Sequence, residues 1–317
     1  MPCFRRFKLL NCMAFVPPLC GELWFNGVMK KAFKTVALIG KYKSPEIAKP
    51  LLELGRFLEQ RGIEVMLDRL TASHIGECPY PVLLLEELGQ RADLAIVLGG
   101  DGTMLNIART LAPYDVALVG VNQGRLGFLT DISLDTMYET IGAILDGQHV
   151  AEERMLLQSE IRRGDDCVFE VLAFNDAVVS KGVRGSMIEF EVRIDGETIY
   201  TQRSDGLIVA TPTGSTAYAL SSGGPIIHPS LHVMALVPVC PHTLSNRPIV
   251  VHSNCTVEIV IKDAADAQAH FDSHSHCNLQ EGDRLVVRRY PHCISLLHPR
   301  GHSYYAMLRQ KLHWNRE

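Results

Sequence analysis

The stretch Asp93-Leu94-Ala95-Ile96-Val97-Leu98-Gly99-Gly100-Asp101-Gly102-Thr103 constrains the fold more than any other part of the sequence. A short apolar run stops at two glycines, and an aspartate and a third glycine follow. Met104, Leu105, Ile107, Ala108 and Leu111 then recur at helical spacing. That order reads as a buried strand, a tight turn and a helix. Glycines at the turn admit positive φ and let a ligand approach the backbone. Free N–H groups at a helix N-terminus favour an anion, most naturally a phosphate. Asp101 is the odd residue in such a loop. A carboxylate repels a phosphate unless it binds a cation, takes a hydroxyl proton or ties the loop together. The first two roles suggest phosphoryl transfer to an alcohol. The pattern is neither G-x-G-x-x-G nor a P-loop with its lysine, and a generic strand-to-helix turn is the plain alternative.

The surrounding sequence repeats the strand-helix alternation. Val36–Ile39 reads as a strand ending at Gly40. Ser44-Pro45 then opens a helix, with Ser44 as its cap and Ile47, Leu51, Leu54 and Leu58 as its apolar face, ending at Gly62. Ile63, Val65 and Leu67 predict a second strand, a short helix is expected from Val82, and Val116–Asn122 is a fourth strand. Ser133 is expected to cap one more helix, with Leu134, Met137, Ile141 and Ile144 inward. Alternating strands and helices imply a parallel sheet. Ligands bind at the carboxyl ends of such strands, which puts Gly99–Thr103 and Asn122–Gly127 on one edge.

After about residue 150 the period changes to alternating, β-branched segments: Leu156–Ile161, Val168–Val179, Ile188–Ile194, Thr198–Thr201, Leu207–Thr211, Ile249–Val251, Val257–Ile261 and Leu285–Val287. Asp195-Gly196 is a hairpin signal between two of them. A helical pattern returns only at Tyr304–Leu312. The expected fold class is therefore an α/β N-terminal domain with a parallel sheet, followed by a mostly β domain, with the C-terminal segment packing back on the first domain. The expected limits are 1–28 for an N-terminal extension, disordered in this reading, 29–149 for the α/β domain, 150–296 for the β-rich domain and 297–317 for the returning segment. Arg5, Arg6 and Lys8 before Leu9–Cys20 only faintly echo a signal peptide, and Met29-Lys30-Lys31 looks like a natural beginning.

Charge and cysteine usage narrow the function. A net charge of −4 argues against a dedicated nucleic-acid binder. No apolar run reaches the ~18 residues of a membrane span. The nine cysteines are scattered without a C-x-x-C pair, which suits free thiols in the cytoplasm better than a disulfide framework.

Two further motifs carry chemistry. In Arg203–Pro225 a buried strand lies between clusters of small polar residues. Thr213–Thr216 offers hydroxyls and N–H groups at the start of a short helix, a second anion site, and Tyr218 could stack on a ligand. A Ser/Thr-rich turn that satisfies its own backbone is the alternative. In Phe174–Val179, Asn175 and Asp176 interrupt an apolar strand pattern, and buried polar groups need partners, either a ligand or a bulge. His270, His274, His276 and Cys277 have the residue types of metal ligands: on one strand the three histidines would share a face, but no second Cys/His cluster is near, and no metal site of the protein's own is expected.

These motifs, in this order, resemble the NAD kinase family, close to its proteobacterial members, over residues 34 to about 314. The resemblance extends to Gly120–Thr130, Met187–Phe190 and Pro241–Pro248. The glycine loop is shared with diacylglycerol and sphingosine kinases, whereas the Asp205–Pro225 block is far more specific. The resemblance implies ATP-dependent phosphorylation of the adenosine ribose 2′-hydroxyl of NAD, with Mg²⁺ accompanying ATP. Asp101 then resembles the proton acceptor, with Gly102 beside it. Gly99, Gly100, Gly102, Thr103 and Asn122 stand at the phosphate or ATP side. Asn175 and Asp176 resemble the pair that holds the nucleoside, Arg203 and Asp205 flank the nicotinamide side, and Thr216, Ala217, Tyr218, Ala219, Leu220 and Ser221 line the adenine or ribose side. Ser186 stands where relatives often carry a His, His274 where a Gln is common, and Asp176 replaces a frequent Glu. The family also implies a cytoplasmic homo-oligomer, a dimer or tetramer, with no nucleic-acid or membrane partner. A lipid kinase sharing the glycine loop and a non-catalytic dinucleotide sensor are the rival readings.

Overall fold

Strands that must be buried on both faces need apolar residues at every position, and the first half of the chain supplies four such strands. The structure, a computed structural model, describes residues 33–41, 44–76, 78–124, 126–182, 186–243, 245–264 and 266–314. The expected N-terminal extension and the motif residues Arg125 and Leu244 lie outside the described residues. In the first half the strands are β1 (Thr35–Gly40), β2 (Glu64–Asp68), β3 (Val82–Leu83), β4 (Leu94–Leu98), β5 (Ala117–Asn122) and β6 (Ile132–Ser133), and the helices α1 (Ala48–Gln60), α2 (Arg69–Ala72), α3 (Leu85–Arg91), α4 (Asp101–Leu111) and α5 (Met137–Leu145). The second half adds β7 (His149–Arg163), β8 (Asp166–Ala173), β9 (Asp176–Ser180), β10 (Ile188–Ile194), β11 (Glu197–Ser204), β12 (Gly206–Ala210), α6 (Tyr218–Ser221), β13 (Val233–Val239), β14 (Ile249–His252), β15 (Val257–Asp263), β16 (Gln268–Phe271), β17 (Ser275–Asn278), β18 (Arg284–Pro299) and α7 (Tyr304–Lys311).

Strands β3, β2, β1, β4 and β5 pair in that order, all parallel. Alternate residues feed different cores. Val36, Leu38, Ile96 and Leu98 pack with Leu51, Leu54 and Leu58 of α1, whereas Ala37, Ile39, Ala95 and Val97 pack with Met104, Ile107 and Leu111 of α4. Each of these large side chains contributes on the order of 1.5–3 kcal/mol by leaving water. Gly62 ends the α1 segment at φ +75°. Ser133 accepts from the Thr136 N–H, as expected of a cap. The Ser44 hydroxyl instead donates to Glu46, and a 3₁₀ turn (Pro45–Ile47) leads into α1. Val82 starts a short strand, with the helix beginning three residues later.

The long strand β18 joins the two halves. It pairs with β5 in parallel at Leu296–Leu118 and antiparallel with β15 and β7, so the sheet continues through β15 and β10 to β11. A second, antiparallel sheet runs β14-β13-β12-β9-β16-β17. The inner faces of these two sheets enclose the largest core, with Phe190, Ile259 and Leu285 opposite Val179, Leu207 and Phe271. Asp195-Gly196 turns the β10–β11 hairpin with φ of +51° and +85°, as a two-residue hairpin turn requires. The expected run Val168–Val179 is two strands, because it breaks at Phe174-Asn175. The His270–His276 stretch is a hairpin, not one strand, so His270 faces His276 across β16 and β17 while His274 sits at the turn. Helix α7 returns as expected: Tyr304, Met307 and Leu308 pack on Leu126, Phe128 and Ile226, and Lys311 Nζ donates to the Leu126 carbonyl at 2.5 Å.

Candidate active site

The glycine loop leaves β4 at its carboxyl end, and Gly99 N–H donates to the Val121 carbonyl of β5 at 2.9 Å. Gly100 caps α4, so Asp101 stands in the helix's first turn, half-buried, with Gly100 and Gly102 exposed beside it. The Asp101 carboxylate holds the loop that follows β5: Oδ2 accepts from Phe128 N–H and Oδ1 from Leu129 N–H, both at 2.9 Å. Gly127 has to be glycine here, because a Cβ would run into Asp101 Oδ1 and Thr130 Oγ1. Asn122 completes the loop: its Nδ2 donates to the carbonyls of Thr130 and Ile132, and its Oδ1 accepts from Gly124 N–H. The carboxamide of Asn122 is therefore buried and engaged in shaping the loop. Thr103 packs against Gly99 at the same turn.

A second cluster forms where β9 begins and β12 ends, since Asp176 and Ala210 are register partners. Asp272 organises it. Its fully buried carboxylate accepts from three successive N–H groups, Phe174 (2.8 Å), Asn175 (2.7 Å) and Asp176 (3.1 Å), and pairs with Arg109 of α4 at 2.5 Å. Asp272 itself sits at φ +50° in the turn between β16 and β17. The Asp176 carboxyl is buried and has no hydrogen-bond partner among the described residues. Burial first, and the Asp272 charge second, push its pKa up to about 7. The Asn175 side chain likewise makes no hydrogen bond among the described residues, while its carbonyl accepts from Thr211 N–H at 2.8 Å.

The Thr213–Ser221 segment seats on this pair. Gly214 lies so close to Asn175 that a Cβ would overlap the Asn175 carbonyl. Much of the polar content is turned inward, as a self-satisfying turn would have it. Thr211 Oγ1 donates to the Phe174 carbonyl, Ser215 Oγ to that of Pro212 and Thr216 Oγ1 to that of Thr213. Tyr218 and Ser221 are exposed, Thr216, Ala217 and Leu220 half-buried. Ala219 lies wholly in a small core with Val178, Ile208 and Ala235. Farther along, Asp205 pairs with Lys181 at 2.8 Å, Arg203 reaches toward Glu189 from an exposed position, and Ser186 is exposed.

Models of the ATP-NAD kinase N-terminal and C-terminal domains match residues 36–149 and 174–298. The chain belongs to the ATP-NAD kinase family. The NAD kinase of Nitrosospira multiformis is 61% identical over 287 residues, which cover 90% of this chain and 98% of the relative. That of Nitrosomonas eutropha is 61% identical over 283 residues, covering 89% and 96%. Among solved structures, an NAD kinase from Archaeoglobus fulgidus in complex with ATP superposes with TM-score 0.68 at 25% identity, covering 88% of this chain and 98% of that one. A yeast NADH kinase complexed with NADH shares the fold, with TM-score 0.83 at 23% identity over 90% and 89% of the two chains.

The fold thus brings Asp101 and the glycines to one sheet edge and packs Asn175, Asp176 and the Thr213–Ser221 segment together. Sequence reasoning missed Asp272 and Arg109, the clasp between these regions. No spacing pattern marks them, because the hairpin that carries Asp272 is recognisable only once its two strands are paired.

Proposed function

We propose that the chain phosphorylates the adenosine ribose 2′-hydroxyl of NAD with ATP, giving NADP. The Asp272 clasp is the observation that carries this reading. One buried carboxylate fastens the glycine-loop helix, through Arg109, to the backbone of the Asn175-Asp176 pair. A phosphate loop and a dinucleotide-type polar pair, from opposite halves of the sequence, therefore share one anchor.

In this reading the α4 N-terminus and the backbone of Gly99, Gly100, Gly102 and Thr103 receive phosphate. Asn122 acts by shaping the adjoining loop. Asn175 and Asp176 hold the nucleoside with side chains that make no hydrogen bond among the described residues. Arg203 and Asp205 flank the nicotinamide side, and Ser186 stands near the dinucleotide. Thr216, Ala217, Tyr218, Leu220 and Ser221 line the adenine or ribose side, with Ala219 supporting them from the core. Asp101 Oδ1 accepts from both Leu129 N–H and the Thr130 hydroxyl, whereas Oδ2 accepts only from Phe128 N–H among the described residues and keeps a lone pair. Oδ2 takes the 2′-hydroxyl proton as the new O–P bond forms and the γ-phosphorus parts from the bridging oxygen, leaving ADP. Mg²⁺ is an oxygen-ligand ion carried chiefly by the triphosphate. The ion would arrive with ATP at the glycine loop and would supply charge neutralisation there.

Purified chain given NAD and Mg-ATP should yield NADP. Parallel reactions with polyphosphate, NADH and diacylglycerol fix the donor, the acceptor form and the lipid-kinase rival. Absence of NADP, or phosphorylated lipid in its place, would overturn the assignment. The Archaeoglobus fulgidus relative, solved with ATP, supports ATP as donor. We also propose the domain limits 29–149 and 150–296 with 297–317 returning, supported by the change from parallel to antiparallel pairing. A cytoplasmic homo-oligomer, dimer or tetramer, is proposed with them. The free thiols favour the first, exposed Leu231, Tyr305 and Trp314 the second, and light scattering after gel filtration tests it.

A further inference from the structure

Five of the seven buried side-chain atoms without a hydrogen-bond partner among the described residues gather in one place: Glu152 Oε1, Arg154 Nε and Nη2, His298 Nε2 and His302 Nε2. They belong to a continuous chain of polar groups. Asp131 Oδ2 bonds Nδ1 of both His298 (2.9 Å) and His302 (2.8 Å), whose rings stack at 3.9 Å. His298 Nε2 lies 3.5 Å from Glu152 Oε2, and Glu152 Oε1 lies 3.1 Å from Arg154 Nε. Arg154 Nη1 then donates to Thr213 Oγ1 at 3.1 Å. None of the five charged or titratable side chains is more than 16% exposed.

The two ends of this chain are informative. Asp131 directly follows the loop that Asp101 holds through Phe128 and Leu129. Thr213 opens the turn whose Gly214 seats on Asn175. The glycine-loop side and the dinucleotide side are thereby joined a second time, independently of Asp272. A metal ion held by both rings fits poorly. Both Nδ1 atoms are engaged by one carboxylate oxygen, and in rings 17° from parallel the Nε2 lone pairs run side by side instead of converging.

We infer that Arg154 is a positioning residue for the transfer reaction, holding Thr213 and so tying the dinucleotide loop to the loop around Asp101 through Glu152, His298, His302 and Asp131. The inference rests on the NAD kinase reading above. The guanidinium touches neither reacting group; it sets where Thr213 stands. On its other side the guanidinium forms an ion pair with Glu152, whose second oxygen lies within ion-pair distance of His298. Asp131 anchors the far end as an ion: burial pushes its pKa up, but the hydrogen bonds from His298 and His302 pull it down further, to about 2. The other titratable group facing Arg154 is Tyr304 of α7.

The test is a double-mutant cycle in the full chain. Asp131→Asn and Thr213→Val are made singly and together, and the KM for NAD and kcat are read separately. Each single variant should raise KM roughly tenfold with a smaller change in kcat, and the double variant should be no worse than the poorer single, because both cut the same chain. Arg154→Lys should regain part of what Arg154→Met loses. Multiplicative effects on KM would overturn the inference. So would an unchanged KM with only lowered thermal stability, or a stoichiometric transition metal that disappears with His302→Asn. If the native chain makes no NADP, the kinase reading fails on its own. The cycle is then read in the urea midpoint of the unliganded chain, where coupled changes support the chain of contacts and additive ones overturn it.

Discussion

Replacing Asp176 by Asn should make the unliganded chain more stable above neutral pH, with the gain vanishing toward acid. Asp176 is 4% exposed, makes no side-chain hydrogen bond among the described residues and faces the Asp272 charge, and its pKa is raised from 3.8 to about 7. An unfolded Asp loses its proton near pH 3.8. Between there and pH 7 the folded chain therefore holds a proton that the unfolded chain has released, and stability falls as pH rises through that window. At about 1.4 kcal/mol per pKa unit, a window of roughly three units sets an upper bound of about 4 kcal/mol. Asn keeps the shape and cannot ionise, so the variant escapes this loss. Urea unfolding of both proteins from about pH 5 to about pH 8.5 reads the difference directly, since all other titrating groups are common to both. The variant's advantage should widen with pH and level off above about pH 8. Saturating NAD should narrow it, because ligand donors facing the carboxylate would stabilise its charged form. A difference independent of pH, or one that shrinks as pH rises, would refute the assignment of Asp176 as an unpartnered buried acid.

Asp101→Asn removes the proposed proton acceptor and should lower kcat by roughly 10²–10⁴. It also turns an NH₂ toward one of the two loop N–H groups, so a stability loss of about 1–3 kcal/mol is expected in urea unfolding. Arg109→Met leaves Asp272 buried without its cation and should cost about 3–5 kcal/mol of stability. Because the clasp holds Asn175 and Asp176, the KM for NAD should rise as well, as steady-state kinetics would show. Gly214→Ala drives a methyl group into the Asn175 carbonyl. About 1–3 kcal/mol of strain should appear as a lower melting temperature or as weaker NAD binding by calorimetry.

The parts of the fold that were readable had strong local causes. The parallel strands are apolar at nearly every position, α1 carries its buried leucines at helical spacing, and Asp195-Gly196 supplies two residues that tolerate positive φ. Strand β13, absent from the expected strands, carries Pro238, a residue type that argues against a central strand. The structure resolves the conflict: β14 pairs only with Val233–Leu236, so Pro238 lies past the end of β14 and its missing N–H interrupts no pairing on that side. The β16–β17 hairpin was hidden for a different reason. Its turn uses Asp272 and Ser273 at positive φ instead of a glycine, so no glycine marks the reversal. For the site, polar residues interrupting apolar patterns were visible. Asp131, Arg154, Asp272 and His298 were not, because the contacts that tie them to the site span long sequence separations.

Asp101 shows how the two kinds of information combine. From sequence, its carboxylate had three possible roles: cation ligand, proton acceptor or loop tie. The structure displays the tie, with both oxygens on backbone N–H groups. That does not compete with the other two, because each carboxylate oxygen can accept more than one hydrogen bond. The tie fixes the side chain before any ligand arrives, and a group that must meet a hydroxyl proton within a fraction of an ångström gains from being held by a rigid shell. An Asp free of the loop would have to be ordered during the reaction. The observed loop tie and the proposed proton acceptance thus become linked demands on one residue, so Asp101→Asn should disturb stability and turnover together, whereas substituting Thr130, whose hydroxyl also reaches Asp101 Oδ1 at 3.4 Å, should perturb the positioning alone.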